Sequence, residues 1–216
     1  MARADLSTIC PGKHSPRASS FLPDHLDVIG DQRLLEHSPL GLLCSSRPPG
    51  TLVLRTFELF QRIKRADVTV IGGFHSPMER QCLELLLEGS AGIVVVPARG
   101  VASFRMPSAW KEQHAKQRLA VVSPFPRGVR RVSRALAEQR NRCVALLSAR
   151  LFVPYAAPGG LTERIALETA AAGTPVLTFD VTENTTLLRH GAGLIESEVA
   201  NHYLAADDDP FAAAER

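Results

Sequence analysis

Residues 68–97, VTVIGGFHSPMERQCLELLLEGSAGIVVVP, read as strand, turn, helix, strand, and that order decides the fold. The run at 68–71 is β-branched and ends in Gly72-Gly73. After Phe74-His75, Ser76 stands as N-cap, Pro77 at the first helical position and Glu79 at the third, which is the pattern of a capping box. Met78, Cys82, Leu85 and Leu86 recur at helical spacing, so one face is apolar, and Gly89 is placed to close the helix. The run GIVVVP at 92–97 is apolar throughout, as a strand covered on both faces must be.

The same unit recurs on both sides. LGLLCS at 40–45 predicts a strand and RPPG at 47–50 a turn. Thr51 is then expected to cap a helix bearing Leu52, Val53, Phe57, Phe60 and Ile63. Further strands are predicted at 119–123, 151–155 and 175–179, with helices at 133–148, 162–172 and 185–190. Strands of five or six residues that alternate with helices predict a doubly wound, mostly parallel Rossmann-like α/β sheet with helices on both faces. Residues 1–33, rich in Pro, Ser, Arg and His, are expected as a mobile lead-in with room for one short element that docks on the domain, where Phe21, Leu22, Leu26, Val28 and Ile29 offer material for packing. Residues 34–200 are expected as the domain, and 201–216 as a frayed tail.

At 216 residues, 45% hydrophobic and 22% charged, the chain suits one sizeable globular domain. No apolar run approaches the ~20 residues that span a bilayer, and the N-terminus lacks an apolar signal core, so a cytoplasmic, non-membrane protein is expected. Cysteines at 10, 44, 82 and 143 form no metal-ligand pair and read as small hydrophobes in a reducing compartment. Neither a metal nor a cofactor is implied.

Net charge is only +3, yet residues 127–150 hold seven arginines and one acid, Glu138. Local basicity points at an anionic partner. In the helix capped by Ser133, Leu136, Cys143, Val144 and Leu147 form the apolar stripe. Arg140 projects roughly 20° from its mean direction at 100° per residue. Its guanidinium is therefore aimed into the domain, where a charge requires a partner, either an internal carboxylate or a ligand phosphate.

In such a sheet, ligands sit beyond the carboxyl ends of the strands. Three turns are expected there: residues 47–50, 72–76 and 158–162. Each leads into a helix N-terminus that favours an anion. No complete Walker A pattern or GxGxxG is present, which argues against nucleotide hydrolysis and a dinucleotide cofactor.

Ser123-Pro-Phe-Pro126, the triplet Arg140-Asn141-Arg142 with Ala145-Leu-Leu-Ser148 after it, the turn at Gly159-Gly160 with Thr162, and the late Asn184 and Gly191-Ala192 resemble the core of the DNA-processing protein A (Smf) family over roughly residues 37–196. Gly72-Gly73 stands where that family has its SGG-type turn, and Ser46-Arg47 where it has Gly-Ser-Arg. The resemblance implies a Rossmann-type core that binds single-stranded DNA in recombination and natural transformation, hands it to a recombinase, and dimerises. It places Arg47, Gly72, Gly73, Ser76, Arg140, Asn141, Arg142, Gly159, Gly160 and Thr162 at phosphates, with Phe125 stacked on a base and no catalysis. Pro158-Gly-Gly-Leu-Thr-Glu163 is also similar to the PGGxGTxxE turn of the nucleotide phosphoribohydrolases. That likeness implies instead a site in which Glu163 or Glu168 acts at the ribose and Arg99 or Arg140 holds the phosphate. A nucleotide-sensing domain without chemistry would use the same residues as DNA binding.

Overall fold

The computed structural model describes residues 2–5, 23, 25–36, 38–102 and 104–196. Two strands come first, β1 (Ala2–Asp5) and β2 (His25–Ile29). They are followed by β3 (Leu40–Leu42), α1 (Gly50–Ile63), β4 (Thr69–Gly72), α2 (Pro77–Leu87), β5 (Gly92–Val95), α3 (Lys111–Ala115) and β6 (Leu119–Ser123). The chain continues through α4 (Arg134–Leu147), β7 (Arg150–Phe152), α5 (Leu161–Ala171), β8 (Val176–Thr178), α6 (Thr185–Arg189) and β9 (Gly193–Leu194).

Among the described residues the strands form one sheet in the order β1-β2-β6-β5-β4-β3-β7-β8-β9. From β6 to β9 every pairing is parallel, whereas β1 and β2 are antiparallel to each other and β2 is antiparallel to β6. The chain winds outward from β3 to β6, returns to β7 on the other side of β3, and winds outward again. The doubly wound reading holds, with the switch between β3 and β7.

Alternate strand residues feed two cores. Val70, Ile93, Val95 and Phe152 join Leu52, Phe60 and Ile63 of α1 and Met78, Cys82 and Leu86 of α2. Ile71, Val94, Val122 and Leu151 join Cys143, Val144 and Leu147 of α4 and Ile165 and Ala166 of α5. A two-sided burial of this kind is why the strands read as continuous apolar runs.

One expectation is refined and one corrected. The short docking element of residues 1–33 is β2, a strand of the sheet itself that pairs Asp27 with Ser123, Val28 with Val122 and Ile29 with Val121. The strand is hard to read from sequence because Asp27 interrupts its apolar run and is buried together with Leu26 and Val28, so no alternation of buried and exposed residues marks it. The first helix starts at Gly50 with Pro49 as N-cap, not at Thr51. Proline is already extended and has no N–H to satisfy. The tail at 201–216 and Cys10 lie outside the described residues.

The capping box on α2 is present in both directions. Its Glu79, 5% exposed, does more than cap. One oxygen accepts the N–H of His75 at 2.8 Å and that of Ser76 at 3.1 Å, while the other accepts the N–H of Cys44 at 2.9 Å. A single buried carboxylate thus ties the turn after β3 to the turn after β4.

Glu79→Gln replaces one acceptor oxygen by a donor facing backbone donors. It should cost about 2–4 kcal/mol, read as a lower urea midpoint at unchanged slope. Burial pushes the Cys44 and Cys82 thiols upward in pKa, with the field of Glu79 adding to both. Both should resist iodoacetamide in native protein at pH 8 and react once urea unfolds the chain.

Candidate nucleic-acid interface

The turns at the carboxyl edge pack as one surface. The N–H of Ser45 bonds the carbonyl of Tyr155 at 3.0 Å, and the N–H of Ala157 bonds Ser45 Oγ at 2.9 Å, so the first and third turns meet. Glu79 joins the first to the second. That second turn is strained. Phe74 is left-handed, with φ of 47°, a conformation that costs a residue with a Cβ about 1–2 kcal/mol. Its ring is buried against Gly72, where a Cβ would lie 3.2 Å from the ring edge, and Glu79 holds the next two amides.

Two of the three turns fill their own anion positions. The second gives its amides to Glu79, and Ser76 Oγ accepts the N–H of Glu79 at 3.2 Å, so Ser76 caps the helix and its own backbone N–H is spent on Glu79. In the third turn the N–H of Gly159 goes to Glu163 at 2.9 Å. Glu163, expected at a ribose in the hydrolase reading, closes its own turn instead. The physical reason is local: a Glu three or four residues into the helix reaches the same donors that a ligand would. Gly160 is the N-cap of α5, Thr162 is buried in that helix, and Arg47 is exposed in the first turn.

Arg140 is different. It is 5% exposed, and its guanidinium lies against Gly73, where a Cβ would overlap it. Asn141 Oδ1 accepts its Nε–H at 2.7 Å, and Nη1 lies 3.5 Å from the carbonyl of Val96. Among the described residues no carboxylate forms an ion pair with it. Burial pushes its pKa down, against the raising field of Glu79. Arg140 lines a cavity of about 200 Å³ together with Gly73, His75, Arg99, Phe104 and Trp110. The inward aim read from helical periodicity is what the structure shows.

Other expected residues are spent elsewhere. Phe125 is 3% exposed and offers no stacking face, because Ser123 and the following turn fold it into the protein. Arg142 is ion-paired with Glu168 and, at 3.2 Å, with Glu138, which Arg164 also contacts at 2.7 Å. It braces α4 on α5. Glu168 is thereby tied to Arg142. Arg127 is held by Asp27 of β2 at 3.2 Å, whereas Arg130, Arg131 and Arg134 are exposed along the β6–α4 loop and the start of α4. Sequence reasoning missed Phe104 and Trp110, since nothing in the loose segment after β5 signals where its rings go. Among the described residues, no group of three or more His, Cys, Asp or Glu could hold a metal ion, and no helix is long and apolar enough to cross a membrane.

No family model and no curated protein matches the chain. Solved structures do. DNA processing protein A (DprA) from Streptococcus pneumoniae superposes with a TM-score of 0.70 at 15% identity, over 94% of this chain and 75% of that one. The fold is that of DprA. The DprA of Helicobacter pylori, a structure described as giving insight into its single-stranded DNA binding mode, superposes at 0.68 with 17% identity, over 93% of this chain and 95% of its own. Both proteins therefore share nearly the whole of this architecture, and the cavity at Arg140 lies where a DprA-fold sheet presents its carboxyl edge.

Gly73→Ala should drive the Arg140 guanidinium from its seat. Because a flexible side chain and not backbone must yield, the thermal midpoint should fall by only a few degrees. Loss of Arg140 Nε protection from solvent exchange, followed by NMR, would report the displacement; an unaltered Nε signal would refute it.

Proposed function

We propose that the chain binds single-stranded DNA at the carboxyl edge of its sheet, with a backbone phosphate on Arg140. The observation that carries this reading is a buried guanidinium that lines a cavity and has no carboxylate partner among the described residues. A desolvated cation is costly unless an anion meets it. A ligand phosphate supplies one. The exposed Arg130, Arg131 and Arg134 extend positive charge along the loop beside the cavity, of which Val132 is a lining residue. Several phosphates in a row suit that layout better than a single anion. The H. pylori DprA, described as a single-stranded DNA binder, lends the same direction to the proposal. A role in DNA processing and recombination, with a recombinase as acceptor and the chain acting as a homodimer, completes the reading.

The test is fluorescence anisotropy of a labelled oligothymidine at two salt concentrations, with AMP and duplex DNA as competitors. Affinity should fall steeply with salt and survive both competitors. Arg140→Ala should weaken binding about 10- to 100-fold, whereas Arg142→Ala should alter unfolding and leave affinity in place. Undiminished binding by a folded Arg140→Ala protein, or displacement of the oligomer by AMP, would overturn the assignment.

A further inference from the structure

The outer face of α1 carries apolar side chains where a surface helix is ordinarily polar. Leu54 is 64% exposed and Phe57 44%. At 100° per residue, Leu54 projects from the middle of the exposed face, Phe57 lies roughly 60° to one side of it, and Arg55 and Arg62 lie together roughly 80–100° to the other. On that second flank the chain returns to α1 after β9. Ile195 is fully buried in the core that holds Leu52 and Phe60, and Glu196 is ion-paired with Arg55. The Arg55 guanidinium also stands 4.6 Å from the centre of the Phe179 ring, which fixes the pair in place. Residues 197–216 therefore leave the described structure beside the exposed face of α1.

Their sequence, SEVANHYLAADDDPFAAAER, suits that face. The backbone is helical at Ile195 and Glu196. At the same spacing Val199 and Tyr203 follow the buried Ile195 on one stripe, four residues apart each time. The stripe is thus directed along α1. Asp207, Asp208 and Asp209 come about 17–20 Å beyond Glu196 at a helical rise, while Arg62 and Arg65 stand about 10 and 15 Å along α1 from Arg55. Neither arginine is ion-paired among the described residues, so acids meet bases over a matching length.

We propose that residues 197–209 of this same chain dock along α1, with Val199 and Tyr203 covering Leu54 and Phe57 and the three aspartates meeting Arg62 and Arg65. A second copy of the chain suits the face less well. Two exposed apolar side chains fall far short of the ~800 Å² per partner that a stable interface buries. A covalently joined segment needs no such area, because Glu196 already holds its start on Arg55 and its effective concentration is high. The docking is independent of what occupies the cavity at Arg140.

Photo-crosslinking in the full chain tests this. A benzophenone side chain is introduced as Leu54→p-benzoylphenylalanine in one sample and as Val132→p-benzoylphenylalanine, beside the exposed arginine row, in another. Both positions are exposed, so the probe leaves the core untouched. Each sample is mixed with heavy-isotope-labelled unaltered protein, and the crosslinked peptides are read by mass spectrometry. Position 54 should capture residues 197–209 of its own unlabelled chain, and position 132 should capture none of them. Adding Tyr203→Asp, with folding checked by thermal unfolding, should remove most of the crosslink from position 54. Capture of labelled chains from position 54 would make the face a contact between copies, and capture of residues 207–209 from position 132 would put the acids on the arginine row instead. Either result overturns the docking, as does a position 54 that captures no residue of the segment or a crosslink that Tyr203→Asp leaves undiminished.

Discussion

The carboxylate of Glu79 takes three backbone N–H groups from two different turns, and the shape of the sheet's carboxyl edge depends on it. It fixes Cys44 after β3 against His75 and Ser76 after β4, and it secures a turn whose Phe74 is held left-handed. With its oxygens committed to amides, Glu79 influences Arg140 only through its field and forms no ion pair with it. The cation therefore keeps its capacity for an outside anion. A glycine at 73 gives the guanidinium room, and Asn141 orients it.

Charge elsewhere is settled internally. Glu138 and Glu168 gather Arg142 and Arg164 into a network that spans α4 and α5, and Asp27 takes Arg127. These pairs are partly solvated, where an ion pair contributes little, but they decide which arginines are available. The basic stretch thus divides into braces, an exposed row at 130, 131 and 134, and one buried guanidinium. Local charge density alone does not distinguish these three kinds of arginine. The same economy governs the turns, where Glu79 and Glu163 occupy the helix N-termini that a ligand would otherwise use.

The doubly wound sheet was legible in the sequence because strand and helix periodicities are local, and the capping box of α2 was legible for the same reason. The inward aim of Arg140 followed from its place between Leu136 and Cys143 on one helical face. β2 was not legible as a strand because Asp27 interrupts its apolar run and its partner, β6, is over ninety residues away in the chain. Phe125 was misread because an aromatic residue in a proline-flanked loop gives no sign of whether its ring turns in or out.

By itself, then, the sequence determined the fold class, every helix but the five-residue α3 and the direction in which Arg140 points, since these depend on neighbours within a few positions. Only the tertiary structure decided what Arg140 meets, which arginines find acids, and that Phe104 and Trp110 stand in the same cavity. Those outcomes depend on which groups distant strands and loops bring within a few ångströms, and the spacing of residues along the chain carries no record of that distance.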